Sequence, residues 1–397
     1  MSRLWDKGTP LDDQVLRYTA GEDHQLDARL VNYDVAGSKA HAAMLAAKGL
    51  ISGDDAEAIQ QGLDQLADSF AAGEWAISLE DEDVHTALET RLTAAIGEAG
   101  ARLHLGRSRN DQVLTALRLY LKDACTELSA AANAVAQTLR NLAARQGKVA
   151  LPGYTHLQQA MPSSVGLWAE GYAAEIVDDA IAIDGVLRRL DKNPLGSAAG
   201  YGVPGIGLDR THTQKTLGFS EIHEPVTAVQ LSRGKAEAEL TLQMVLLLND
   251  LGRLASDLLL FYTREFSYVR LPESMTTGSS IMPQKRNPDV LELVRGAGAV
   301  AQGALNEIIA TTAKLTSGYH RDLQRLKAPL FRSIDLTLAS SAIVARTLDG
   351  VEFIADNIVL DDGLYAAQRA NEMVVKEGIP FREAYRRVAA ALKSEGT

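Results

Sequence analysis

The sequence predicts an all-α protein: a long central helix bundle with small helical N- and C-terminal domains. Three observations carry this. From Asp111 to Gln146 there is neither Gly nor Pro, a run of 36 residues, which as one helix spans about 54 Å. Comparable long patterns occupy 163–192, 226–265, 289–315 and 327–357. Ala and Leu abound while aromatic residues make up only 5%, a composition suited to helices packed on helices.

The elements follow in order. Residues 1–33 are mixed and are punctuated by Gly8, Pro10 and Gly21. A helical segment runs from Asp34 to Gly49. Ser52-Gly53-Asp54 then starts another, whose apolar positions Ile59, Leu63, Leu66 and Phe70 fall on one face. Val84, Leu88, Leu92 and Ile96 form a third stripe. These make a helical N-terminal domain over 1–105, before a central bundle over 106–357.

The long patterns exceed ordinary globular helices and lack the charged heptads of a two-stranded coiled coil. Ala and Gly stand on their apolar faces, as in Arg295-Gly296-Ala297-Gly298-Ala299-Val300-Ala301, where small residues permit close approach. Helices this long and apolar have more than one face to bury, which implies association of subunits. A C-terminal domain over 358–397 contains a helix start at Gly378-Ile379-Pro380-Phe381-Arg382-Glu383. Strand signals are sparse. The Gly-rich stretch 195–208 follows no strand and holds no Gly-x-Gly-x-x-Gly, so it reads as a connection between helices.

Composition narrows the function. The chain has 397 residues, 46% hydrophobic and 23% charged, with a formal net charge of -11, ordinary for a globular protein and adverse to general nucleic-acid binding. Cys125 is the single cysteine, so no internal disulfide forms and a reducing compartment is expected. Met1–Lys7 has no apolar core, and the most apolar run, Met244 to Leu248, is far too short to span a bilayer. A cytoplasmic protein without membrane or nucleic-acid partners is expected. No Cys/His spacing suggests a metal site.

Three polar loops, each ahead of a long helix, carry chemistry. The first, Leu103-His104-Leu105-Gly106-Arg107-Ser108-Arg109-Asn110-Asp111, sets guanidinium groups and helix-terminal N–H donors where a carboxylate is stabilised. A capped, solvated turn is its bland alternative. The second is Pro152-Gly153-Tyr154-Thr155-His156-Leu157-Gln158-Gln159-Ala160-Met161-Pro162, a His beside a Thr in a loop bounded by prolines. The third, Gly278 to Asp289, contains Ser279, Ser280, Lys285 and Asn287. It reads as a flexible loop, with Asn287 as N-cap and Pro288 at the first helical position.

The third loop resembles the signature of the fumarase/aspartase superfamily, and Gln284 between Pro283 and Lys285 resembles its argininosuccinate lyase branch. Arg107-Ser108-Arg109-Asn110-Asp111-Gln112 is similar to the first signature of that branch, and the His156 loop to the second. Asp83-Val84-His85-Thr86-Ala87-Leu88-Glu89 and Tyr319-His320-Arg321-Asp322-Leu323-Gln324-Arg325-Leu326-Lys327 resemble substrate-contacting segments. The resemblance spans residues 10–385.

What the resemblance implies is a cofactor-free, reversible β-elimination that splits argininosuccinate into L-arginine and fumarate. It implies a bundle of fumarase/aspartase type in a cytoplasmic homotetramer whose active sites each draw on three chains. The three loops could be about 50 Å apart in a single bundle, by rise per residue, which agrees with sharing. By matched position Ser279 is the base, and Lys285 and Asn287 hold the activated carboxylate. His156, beside Thr155, serves the acid side and is oriented by Glu292. Ser108, Arg109 and Asn110 bind carboxylates, Asp27 faces a cationic part, and His85, Tyr319, Gln324 and Lys327 contact substrate.

Three departures stand out: Leu105 where a small hydroxyl residue is usual, Asp23 where some members have Ser, and an early end to the chain. Two rival readings stay open: another fumarate-releasing lyase of the superfamily, and a non-catalytic crystallin-like structural protein on this scaffold.

Overall fold

The computed structural model describes residues 12–394; Met1–Lys7, Gly8 and Pro10 lie outside the described residues. Eleven α-helices of eight or more residues organise what is described. They are α1 (Asp13–Ala20), α2 (Val31–Ala47), α3 (Gly53–Ala71), α4 (Val84–Ile96), α5 (Arg109–Gln146), α6 (Val165–Gly185), α7 (Lys235–Tyr262), α8 (Asp289–Thr312), α9 (Lys327–Gly350), α10 (Ala366–Glu377) and α11 (Phe381–Ser394). The protein is all-α in class, and its strands are short pairs. The longest pair, β1 (Ala150–Thr155) and β2 (Gln158–Ser164), is an antiparallel hairpin, and β3 (Thr277–Gly278) pairs with β4 (Arg286–Asn287).

The five long helices predicted from sequence are α5 to α9, with three revisions. The pattern over 226–265 is two helices, not one. A short helix Val226–Leu231 ends at Ser232, and α7 begins at Lys235. Between them Gly234 adopts φ +83°, which breaks an α-helix and is open to Gly at little cost. The Thr155/His156 segment is a β-hairpin rather than a loop. The 278–289 segment is closed at its base by β3 and β4, and Asn287 lies in β4. Asn287 is therefore not the cap. The Pro288 carbonyl accepts from Leu291 and Glu292, which puts the helix entry at Pro288.

The chain divides into two compact units, residues 1–128, 182–244 and 300–335 in the first and 129–181, 245–299 and 336–397 in the second. Each long helix contributes residues to both.

In the first unit α2, α3 and α4 pack around fully buried Leu30, Leu45, Ile59, Leu63 and Leu92. The α3–α4 contact is close because Gly62 stands where a Cβ would lie 2.7 Å from Leu92 Cδ1. Both helices are capped as their sequences dictate. Ser52 Oγ accepts from the Asp55 amide at 3.0 Å, and Asp83 accepts from the Thr86 amide at 2.9 Å. Arg29 grips Asp335 through two bonds of 3.1 and 3.0 Å and lies 4.5 Å from the Phe331 ring centroid.

The second unit buries Leu139, Leu247, Leu251, Leu254, Leu258, Leu291 and Leu348. Trp168 stacks edge-on against Phe353 at 5.5 Å and donates its indole N–H to Asp257 at 2.9 Å, satisfying its one polar atom. Gly298 stands where a Cβ would meet Asn249 at 2.5 Å, and neighbouring Ala297 and Ala301 are buried, so the small-residue stretch does permit close approach. Ala370, Ala384 and Val388 form a separate small core between α10 and α11.

The stretch 321–350 is long and apolar enough to cross a membrane by length and composition, but half of its apolar window is buried inside the protein. Packing within the fold accounts for that apolarity.

Candidate active site

The residues singled out from sequence fall into two groups, one in each unit. In the first unit a cavity of about 140 Å³ is lined by Asp27, His85, Arg109, Asn110, Tyr319, Gln324 and Lys327. These come from segments hundreds of residues apart in sequence. Ser108 stands beside them, its Oγ accepting from the Asn110 amide at 3.3 Å.

Buried Asp111 fixes the entry to α5. One oxygen accepts from the Ser108 amide at 3.0 Å, and the other from Gly196 and Ala198 at 2.9 and 2.8 Å. The Gly-rich stretch thus anchors the Ser108–Asn110 turn. Burial pushes the Asp111 carboxyl up to about 6 against the pull of these amides.

The cavity wall is dense in paired charge. Lys327, 4% exposed, bonds Asp27 at 2.6 Å and Asp23 at 2.9 Å. Burial works against the lysine's charge, but Asp27 and Asp23 outweigh it and hold its pKa above the ordinary value. Asp27 also accepts from the Val84 amide at 3.3 Å and is fully buried. It pairs with Lys327 on the wall of the cavity, where the sequence reading expects it to face a cationic part of the substrate.

His85 pairs with Asp34 at 3.2 Å, and its Nε2 has no hydrogen-bond partner among the described residues. Burial would discharge the imidazole, yet Asp34 raises its pKa above the ordinary value. Arg109 is bonded to Asp83. Burial would raise the Asp83 pKa, but His85 and Arg109 hold it at about 2. Arg321 bonds Glu82 at 3.2 Å, and Gln324 donates to the Thr19 and Ala20 carbonyls at 2.9 and 3.1 Å.

Four charged lining residues escaped the sequence reading: Glu82, Asp83, Arg321 and Arg233. Arg321 lay inside a quoted segment without being chosen. Arg233 was hidden inside what reads as one continuous helix, although Gly234 next to it was a visible sign of a break.

The second group lies in the other unit. Lys285, Asn287 and Glu292 line a depression of about 950 Å³. Ser279 sits on the same loop, where its Oγ accepts from the Ile281 and Met282 amides at 3.4 and 3.2 Å. The loop is shaped by the Lys285 amide donating to the Met282 carbonyl at 3.0 Å and by Asn287 donating to the Gly278 carbonyl at 3.4 Å.

Thr155 and His156 are at the exposed hairpin tip. His156 and Leu157 both take left-handed φ, +53° and +58°, as the two central residues of a type I′ hairpin turn must. Leu157 is 78% exposed. Among the described residues no hydrogen bond or ion pair joins Glu292 to His156. No group of three or more His, Cys, Asp or Glu among the described residues could hold a metal ion.

In the second unit a hydroxyl with two amide donors shares its loop with a lysine, and the first unit's cavity is rich in guanidinium groups; each of these arrangements suits a carboxylate. The sequence profile of the Lyase family matches residues 13–303. The argininosuccinate lyase of Sorangium cellulosum (strain So ce56) is 46% identical over 98% of this chain and 90% of its own length. That of Xanthomonas campestris pv. campestris (strain ATCC 33913) is 42% identical over 99% of this chain and 91% of its own.

The chain belongs to the argininosuccinate lyase family.

It is accordingly a lyase. Solved structures of more distant proteins show the same fold. An EDDS lyase in complex with formate superposes with a TM-score of 0.83 at 24% identity, covering 97% of this chain and 77% of that one. A class II fumarase from Schistosoma mansoni superposes with a TM-score of 0.79 at 18% identity, covering 98% and 91%.

Proposed function

We propose that the chain splits argininosuccinate reversibly into L-arginine and fumarate, with the residue roles that follow. The observation that carries the chemistry is the Ser279 hydroxyl, whose oxygen accepts from two backbone amides at 3.4 and 3.2 Å on the loop that holds Lys285. Serine is intrinsically a very poor base. Amide dipoles and a nearby ammonium stabilise the alkoxide that proton abstraction requires.

Ser279 removes the proton from the carbon next to the succinyl carboxylate. The electron pair spreads into that carboxylate, which Lys285 and Asn287 hold as its negative charge grows. Collapse of this carbanion expels the guanidinium nitrogen, which takes up a proton on the side of His156 and Thr155. The cavity of the first unit, with Arg109, Asn110, Tyr319, Gln324 and Lys327 on its wall, receives another part of the substrate.

The protein acts as a homotetramer whose sites are shared between subunits. Exposed apolar side chains on the long helices support this: Leu293 at 77% on α8, Leu167 at 68% on α6 and Leu246 at 45% on α7. In such an assembly Glu292 of one subunit orients His156 of another. Segments 1–105, 106–357 and 358–397 act as N-terminal, central and C-terminal domains. A cytoplasmic setting agrees with buried Cys125, whose thiol burial pushes up to about 12.

The test is fumarate absorbance on adding argininosuccinate, with arginine assayed in parallel, for the wild-type chain and Ser279→Ala. Stoichiometric products are expected from the wild type, with turnover on the order of 10²- to 10⁴-fold slower in the variant. Undiminished turnover by a folded Ser279→Ala protein would remove Ser279 from the role of base.

A further inference from the structure

Every cation on the wall of the 140 Å³ cavity but one has a carboxylate oxygen within 3.2 Å. Lys327 has Asp27 and Asp23, Arg109 has Asp83, Arg321 has Glu82, and His85 has Asp34 at 3.2 Å. The exception is Arg233. Its side chain is 3% exposed, and its nearest carboxylate, Glu237, is 3.8 Å from Nε, too far for a hydrogen bond. Nε and Nη1 of Arg233 are buried without a hydrogen-bond partner among the described residues, as are Oε1 of Glu237 and both ring nitrogens of His85, although His85 has the Asp34 carboxylate beside it.

Arg118, also buried, adds a second positive charge near Glu237, and the bonds it makes go to the Lys192 carbonyl and the Ser232 hydroxyl. The cluster of Arg118, Arg233 and Glu237 is thus one positive charge in excess; Arg118 and Glu237 line a separate cavity of about 390 Å³, and Arg233 lines the 140 Å³ one. Unsatisfied guanidinium donors there are costly unless a ligand completes them. Gly234 at φ +83° makes the break that releases Arg233 from a helix register.

We propose that Arg233 is a substrate-binding residue, its open guanidinium edge taking a carboxylate of argininosuccinate by a charge-assisted, two-pronged hydrogen bond. This rests on the lyase reading above. The substrate offers carboxylates at its arginine end and at its succinyl end, and Arg233 recognises the chemistry common to both.

The experiment uses full-length enzyme. Arg233→Gln is expected to raise KM for argininosuccinate on the order of tenfold to a hundredfold with a much smaller change in kcat, the signature of lost binding shared by ground and transition states. Arg233→Lys, which keeps the charge but not the fork, is expected to fall between. Equilibrium binding of L-arginine and of fumarate, each alone, assigns the end: the product whose affinity drops carries the carboxylate that Arg233 holds.

The double variant Arg233→Gln/Glu237→Gln separates binding from folding. It removes both buried charges, so a purely structural Arg233 predicts that KM returns to the wild-type value along with stability. A stable double variant that still has a raised KM supports the proposal. Wild-type KM in Arg233→Gln, or its full recovery in the double variant, overturns it while leaving the lyase reading intact. A wild-type chain that releases no fumarate overturns the lyase reading and this inference with it.

Discussion

Asp23 and Asp27 share one lysine, and one ammonium cannot neutralise two buried carboxylates. Lys327 lies closer to Asp27, at 2.6 Å, than to Asp23, at 2.9 Å. Burial raises the Asp23 pKa, Lys327 pulls it back, and Asp27 and Asp83 push it up again, leaving it at about 7 instead of 3.8. A carboxyl that holds its proton more tightly when folded stabilises the fold below its unfolded pKa and loses that contribution as pH rises through the folded value. The stability of the wild type relative to Asp23→Asn is therefore expected to decline from about pH 4 to about pH 7 and then level off, read from urea midpoints at constant ionic strength. A difference that grows with pH over that window would mean that Lys327 keeps Asp23 ionised. Asp23 was visible in the sequence as a departure from the family pattern. Its pairing with Lys327, 304 positions away (327 − 23), was not, because no local pattern encodes a contact of that range.

At the scale of elements, the long helices were legible and their interruptions were not. Periodic apolar positions and the lack of Gly and Pro define α5 from local sequence alone, and the structure extends it by two residues, to Arg109–Gln146. The hairpin of β1 and β2 was missed because its turn, His156-Leu157, lacks the Asn-Gly or Asp-Gly that normally announces a type I′ geometry. Its left-handed pair is instead held between paired strands, and strain of this kind concentrates at functional sites. The break before α7 was missed because one glycine in an apolar stretch reads as tolerated. Gly234 is not merely tolerated there. A Cβ on it would stand 2.5 Å from Thr312 Cγ2, at a φ of +83° that L side chains avoid. Gly234→Ala is expected to cost about 1–3 kcal/mol of stability, measured by denaturant unfolding, and to perturb substrate affinity through Arg233. Unchanged stability would show that the break is a flexible joint instead of a fixed turn.

At the scale of the whole molecule, the site residues divide cleanly between the units. Asp27, His85, Ser108, Arg109, Asn110, Tyr319, Gln324 and Lys327 belong to the first, and Thr155, His156, Ser279, Lys285, Asn287 and Glu292 to the second. The motifs were legible because each is a short run of residues with its own chemistry. Their assembly was not, because no local pattern encodes which distant segments meet. Sharing between subunits makes a quantitative prediction. Asn110→Ala removes a group of the first unit, and Ser279→Ala one of the second, so each variant alone is expected to be nearly inactive. If a site takes these two groups from different chains, random co-assembly in equal amounts pairs intact copies in about a quarter of sites, by the independence of two even choices in a symmetric oligomer. Co-expressed variants should then regain about a quarter of wild-type turnover. If both groups come from one chain, no mixture contains an intact site and no activity returns. The proposed association of subunits, which exposed Leu293, Leu167 and Leu246 support, favours the first outcome.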